Sequence, residues 1–205
     1  MENNIKAIIF DWGGVCCSEG EPFASLELQE KIGKHPNDIA DDIKDLYFDF
    51  YRGKYSEDEF WNAVISHFNL EKTDGLNPAS LSAAYLNSYE PWPDILDVAK
   101  KLQAKYKVGL LSDLTKVMRD HIKKEHNISE YFPVAVYSCD DDAGRLKTDG
   151  PELFNLILGK MAVLPEECLF IDNSKSKIEA AKNAGLNTML FDNKEQFFKD
   201  IEKYE

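Results

Sequence analysis

Cysteine is scarce in this chain. Its four thiols, Cys16, Cys17, Cys139 and Cys168, show no CxxC spacing and no histidine-rich neighbourhood, which argues against a zinc site. The adjacent Cys16-Cys17 pair could be a redox device, but we read it as two small side chains packed behind a buried strand in a reducing cytosol. Basic residues are short as well: 24 Lys and Arg stand against 37 Asp and Glu, a net charge of −13. That balance argues against a nucleic-acid partner, which needs a basic footprint. It also means that an anionic substrate must find its cations locally. Long apolar runs are missing. None approaches the roughly 18–20 residues that span a bilayer, so no membrane partner is expected. Residues 1–6 carry no basic n-region and too short an apolar run for a signal peptide, so a cytoplasmic location is the expectation. The rest is ordinary for a globular protein, with 43% hydrophobic and 30% charged residues. At 205 residues there is chain for one domain and a smaller appendage.

What the chain does contain is a repeated pattern. Ala7-Ile8-Ile9-Phe10 runs straight into Asp11, and Trp12 leads on into Gly13-Gly14; Cys168-Leu169-Phe170-Ile171 runs likewise into Asp172 and Asn173. Apolar runs this short read as strands buried on both faces of a parallel sheet. Open α/β sheets bind ligands at the carboxyl ends of such strands. One terminal aspartate could simply cap a turn, but two can converge on one divalent cation.

Between these strands the chain changes character. Residues 21–89 read as helical, with no convincing strand. Phe23, Leu26 and Ile32 fall at helical spacing over 22–32, and Gly33 is a plausible stop. Pro36 opens a helix in which Ile39, Ile43, Leu46 and Phe50 recur, ended by Gly53. Ser56 and Glu59 spell a capping box for a third helix, and a fourth covers 78–89. The aromatic residues here (Tyr47, Phe48, Phe50, Tyr51, Phe60, Trp61, Phe68) could form a ligand-stacking surface, but such a set is more often the core of a helix bundle. After Pro91-Trp92-Pro93 strands are expected at 108–112, 134–137, 169–171 and 188–191, with helices at 94–106, 115–126, 151–161, 174–184 and 195–204. This alternation predicts a doubly wound parallel α/β sheet. The expected division is a discontinuous core, 1–16 with 91–205, and an inserted all-helical unit, 17–90.

Asp11, Ser112, Lys147 and Asp172 all fall at strand ends or just beyond one. Each alone has a dull explanation as a cap or a solvated charge. Together they are what phosphoryl transfer through an aspartate requires: an attacking carboxylate, a hydroxyl for a phosphoryl oxygen, a cation, and a second carboxylate for the metal. Magnesium is the expected ion, because it takes hard oxygen ligands and keeps waters when one or two carboxylates hold it.

With these residues in place the chain resembles the haloacid dehalogenase (HAD) superfamily, its phosphatase branches in particular. Phe10-Asp11-Trp12-Gly13-Gly14-Val15 looks like the first motif and Leu110-Leu111-Ser112-Asp113 like the second. Gly144-Arg145-Leu146-Lys147 with Pro151-Glu152-Leu153-Phe154 looks like the third, and Leu169-Phe170-Ile171-Asp172-Asn173-Ser174 like the fourth. The resemblance implies a Rossmann-like core under a helical cap and Asp11 as the nucleophile that forms an aspartyl-phosphate. It implies magnesium on Asp11, the Gly13 carbonyl and Asp172, with Asn173 a further candidate. Ser112, Asp113, Gly14 and Lys147 would hold the phosphoryl group of a small phosphorylated metabolite, a sugar phosphate or nucleotide. A monomer or homodimer is expected.

The sequence departs from that pattern at Gly13. Related phosphatases usually carry a second aspartate there, the acid that protonates the leaving group. Losing a general acid costs on the order of 10²–10⁴ in rate. Thr148 and Gly150 also disturb the usual stretch after the lysine, so Lys147 could be displaced. Two alternatives to a phosphatase therefore stand: a degenerate module that binds a phosphorylated ligand or partner without turnover, and a metal-independent hydrolase of the dehalogenase type.

Overall fold

The structure is a computed structural model and describes residues 4–205. The first three residues of the expected core, and half of the amino-terminal segment read for a leader, lie outside the described residues. Strand β1 (Ala7–Phe10) is followed by five helices and no named strand: α1 (Leu26–Ile32), α2 (Pro36–Asp42), α3 (Lys44–Tyr51), α4 (Glu57–His67) and α5 (Pro78–Leu86). Alternation begins at α6 (Pro93–Leu102) and β2 (Lys107–Ser112). It continues through α7 (Lys116–Glu125), α8 (Ile128–Tyr131), β3 (Val134–Tyr137), α9 (Glu152–Met161), β4 (Cys168–Asp172), α10 (Lys175–Asn183), β5 (Asn187–Leu190) and α11 (Lys194–Ile201).

The five strands form one parallel sheet in the order β3-β2-β1-β4-β5. Strand β1 is central, and all four of its residues are buried. Its alternation feeds two cores. Ile8 and Phe10 pack with residues of α6 and α11 on one face, while Ala7 and Ile9 pack with residues of α9 and α10 on the other. Phe10 pairs with Leu110 on one side and Ile171 on the other, so Asp11, Ser112 and Asp172 emerge at one sheet edge. Parallel register alone brings them together.

The helical segment does not build a core of its own. Phe23, Leu28, Phe50, Phe60 and Trp61 belong to the same apolar cluster as Ile8, Phe10 and Trp12. The chain leaves the sheet and returns to it along adjacent paths: the Trp92 amide donates to the Cys16 carbonyl (2.8 Å), and the Ser18 amide to the Glu90 carbonyl (2.9 Å). Cys16 and Cys17 are buried beside this crossing, and burial pushes both thiols up, away from the thiolate a redox device needs.

Several element boundaries differ from the periodicity, among them that α5 ends at Leu86 and α6 at Leu102. Helix α1 starts at Leu26, where the Ser25 hydroxyl accepts from the Leu28 amide (3.3 Å). The helix expected to run through Ile43 breaks there (φ −117°, ψ 30°) into α2 and α3. Asp41 and Asp42 sit at the carboxyl end of α2, where acidic charge opposes the helix dipole. The single turn α8 is too short to leave a periodic signal. The capping box at Ser56 and Glu59 forms in both directions.

Candidate active site

Asp11 stands at the end of the central strand with its two carboxylate oxygens in different circumstances. Oδ1 accepts from the Ser112 hydroxyl (2.6 Å) and the Trp12 amide (2.8 Å), and it lies 2.9 Å from Lys147 Nζ. Oδ2 accepts no hydrogen bond among the described residues, and its nearest cation is Lys177 Nζ at 3.6 Å. Asp172, at the end of β4, is engaged at both ends: Lys147 Nζ donates to Oδ2 (2.6 Å) and the Ser174 amide to Oδ1 (2.8 Å). Asp11, Ser112, Lys147 and Asp172 are at most 1% exposed.

Lys147 reaches this position from the loop before α9. Its own amide donates to Asp113 Oδ1 (3.0 Å), and the Leu146 amide to Asp149 Oδ2 (2.9 Å). Asp149 in turn takes a two-pronged ion pair from Arg52 beyond α3, with Nε at 2.8 Å and Nη2 at 2.7 Å. In the altered stretch Gly150 has a φ of 148°, which side chains rarely adopt. Lys147 therefore reaches both aspartates despite the altered loop.

The two carboxylates are driven apart electrostatically. Burial works against the charge of Asp11, yet Lys147, Lys177 and the Ser112 hydroxyl together hold its carboxyl far below the ordinary range. Burial, reinforced by the negative charge of Asp11, pushes Asp172 up against the pull of the same two lysines. Such a pair suits a divalent cation, whose charge offsets both burdens. The donor set is consistent with magnesium: two carboxylates at one sheet edge, and hard oxygens only. No group of three or more His, Cys, Asp or Glu side chains poised for a metal occurs among the described residues.

Above Asp11 lies a cavity of about 260 Å³. Asp11, Gly13, Ser112, Asp113 and Lys177 line its floor; Tyr47, Phe48 and Tyr51 of α3, Tyr85 of α5 and Tyr89 line the opposite side. Gly14 and Lys147 are not among the lining residues. Gly14 instead leaves room for Asn173: with φ of 74°, a Cβ there would sit 2.1 Å from the Asn173 amide nitrogen. That amide donates to Glu19 (2.5 Å). Gly13 carries no positive φ, and a Cβ there would meet nothing within 4 Å.

Two features escape the sequence reading. The aromatic set splits: Phe50, Phe60 and Trp61 are core, while Tyr47, Phe48 and Tyr51 face the cavity. Lys177 is the second, and one signal pointed to it. It occupies the first turn of α10, where a cation opposes the helix dipole.

Over residues 5–185 the chain matches the family model of the haloacid dehalogenase-like hydrolases. It belongs to that family. One HAD relative, the D-ribitol-5-phosphate phosphatase of Bacteroides thetaiotaomicron, is 28% identical over 194 residues, covering 90% of each chain. The fold is shared with a HAD family enzyme of the same organism solved with magnesium (TM-score 0.74, 22% identity, 91% of this chain and 93% of that one). It is shared also with a 2-haloacid dehalogenase of Pseudomonas syringae (TM-score 0.64, 16% identity, 92% and 86%). At these identities the solved structures speak for the fold alone. No helix among the described residues is long and apolar enough to cross a membrane.

Proposed function

We propose that this HAD hydrolase is a magnesium-dependent phosphatase of a small phosphorylated metabolite, of the sugar phosphate or nucleotide class. One observation carries the reading: Asp11 lines the cavity with Oδ1 engaged by the Ser112 hydroxyl, the Trp12 amide and Lys147, while Oδ2 accepts no hydrogen bond among the described residues. Oδ2 is then the attacking atom. It bonds to phosphorus as the ester P–O bond breaks, giving an aspartyl-phosphate on Asp11 and an alkoxide that takes its proton from solvent water. Water next attacks the phosphorus, releases orthophosphate and restores the carboxylate. Asp11, Asp172 and the Gly13 carbonyl would hold the magnesium, which supplies charge stabilisation to the phosphoryl oxygens. The Ser112 hydroxyl and the Trp12 amide fix the orientation of the nucleophile. In this reading the helical segment 17–90 is a cap over the core 1–16 and 91–205, and its paired connections at 16–18 and 90–92 are the hinge.

Gly13 leaves the departing oxygen without a carboxylic acid. Esters with good leaving groups, such as p-nitrophenyl or anomeric sugar phosphates, should be turned over faster than simple alkyl phosphates. The space at Gly13 makes Gly13→Asp a fair test, since a Cβ there meets nothing within 4 Å and the backbone has no positive φ. The variant should gain roughly 10-fold or more on an alkyl phosphate and little on p-nitrophenyl phosphate. The primary experiment is turnover of p-nitrophenyl phosphate with magnesium and its loss with EDTA. Gly13 also favours a second reading, a module that binds a phosphorylated ligand without hydrolysing it. Absence of turnover on every phosphate tried, with intact orthophosphate binding, would select that reading.

A further inference from the structure

We propose that Lys177 is the cation that binds the substrate's phosphoryl group, and that Lys147 is a fixed clamp between the two carboxylates. The inference rests on the phosphoryl chemistry proposed for Asp11 and names the residue that receives the anion there.

The two lysines differ in what their ammonium groups have left to give. An ammonium carries three protons. Lys147 Nζ faces three oxygens: Asp11 Oδ1 at 2.9 Å, Asp172 Oδ2 at 2.6 Å and the Leu111 carbonyl at 3.3 Å. It is fully buried and absent from the cavity wall, so no proton remains for a ligand. Lys177 has the opposite character. Its side chain is about a quarter exposed (26%), and its closest contacts, Asp11 Oδ2 at 3.6 Å and Asp113 Oδ2 at 3.8 Å, are too long for hydrogen bonds. Among the described residues it makes only these two long ion pairs and no hydrogen bond within 3.5 Å.

Lys177 is also the one basic side chain on the wall, where Asp11, Asp113 and Glu19 are acidic. In a chain of net charge −13, a phosphate monoester entering this cavity needs that cation. Placing it in the first turn of α10 works against the helix dipole, a local cost of the kind found at functional positions. As Oδ2 attacks phosphorus, charge spreads over the transferred oxygens beside it. A donor 3.6 Å from the attacking atom is placed to meet them.

The test is calorimetric binding of orthophosphate, with magnesium present, to the parent, Lys177→Gln and Lys177→Arg, alongside the KM for p-nitrophenyl phosphate and the unfolding midpoint. In Lys177→Gln the orthophosphate Kd and the KM should each rise by about 10- to 100-fold, as expected for loss of a charged hydrogen bond. Lys177→Arg should stay within about 3-fold of the parent and unfold close to the parent's temperature. A Kd unchanged within 2-fold in Lys177→Gln overturns the inference. So does equal loss in both variants with a lowered midpoint, which marks a structural role. A parent that binds orthophosphate through Lys177 yet turns nothing over keeps this inference and rejects the phosphatase reading. A parent that binds no orthophosphate rejects both.

Discussion

The strand ends beneath the cavity carry its charge, and the helices above it carry its aromatic surface. On the floor, Asp11, Ser112, Lys147 and Asp172 are buried and bonded to one another across three strands and a loop. On the roof, Tyr47, Phe48 and Tyr51 are half-buried residues of α3, the helix whose Phe50 belongs to the core. A bonded charge network in low dielectric has one arrangement and tolerates little change. An aromatic wall offers area without fixed partners and accepts different ligands at modest cost. On the proposed function, reaction chemistry resides in the rigid half and selection in the adaptable one.

The largest expected effect tests the floor directly. Asp11→Asn should lower kcat/KM by on the order of 10⁴–10⁶, as for loss of a nucleophile elsewhere. A variant retaining more than about a tenth of parental turnover would place the nucleophile on another residue. Lys147→Met comes next. It leaves two buried carboxylates facing each other, and removing one partner from a buried ion pair costs about 3–5 kcal/mol. Urea unfolding of the metal-free protein should show that loss; a change under 1 kcal/mol would mean the network has little to do with the rigidity of the floor.

The roof should respond differently. Phe48→Ala removes one half-buried ring from the wall, and KM should rise by about 3- to 10-fold with kcat within 2-fold. An equal fall in kcat would erase the proposed separation between the two halves. The smallest effect concerns how the roof is tied down. Tyr89, on the wall, shares a 2.7 Å hydrogen bond with His126 beyond α7. Burial, with His121 nearby, holds His126 below its ordinary pKa. The folded state therefore binds fewer protons than the unfolded one below about pH 6.5, and the contribution of His126 is complete above that pH and declines as pH falls. Between pH 7 and 5.5 the parent's unfolding midpoint should drop slightly more than that of His126→Gln; parallel profiles would remove His126 from the account.

The periodic parts of the chain told what they could. Continuous apolar runs ending in Asp11 and Asp172 specified buried parallel strands, because only a strand covered on both faces is apolar at every position. Parallel register then required both aspartates and Ser112 to share an edge, so the floor could be read from spacing. The capping box at Ser56 was equally local, since its two hydrogen bonds join residues three apart.

What the sequence could not contain was orientation. Whether Tyr47 or Phe50 faces the core depends on how α3 is rotated, and the break at Ile43 sets that rotation through contacts with Phe23 and Phe60. Neighbouring aromatics look alike in one dimension and are separated only when a helix chooses a face. The division of labour between Lys147 and Lys177 is of the same kind. Both lie near strand ends, but a lysine's role follows from how many of its three protons the fold has already used. That count exists only in three dimensions: Leu111, Asp11 and Asp172 close around Lys147 from two strands of the sheet and the turn beyond a third, while α10 holds Lys177 at the cavity with two long ion pairs and no hydrogen bond among the described residues.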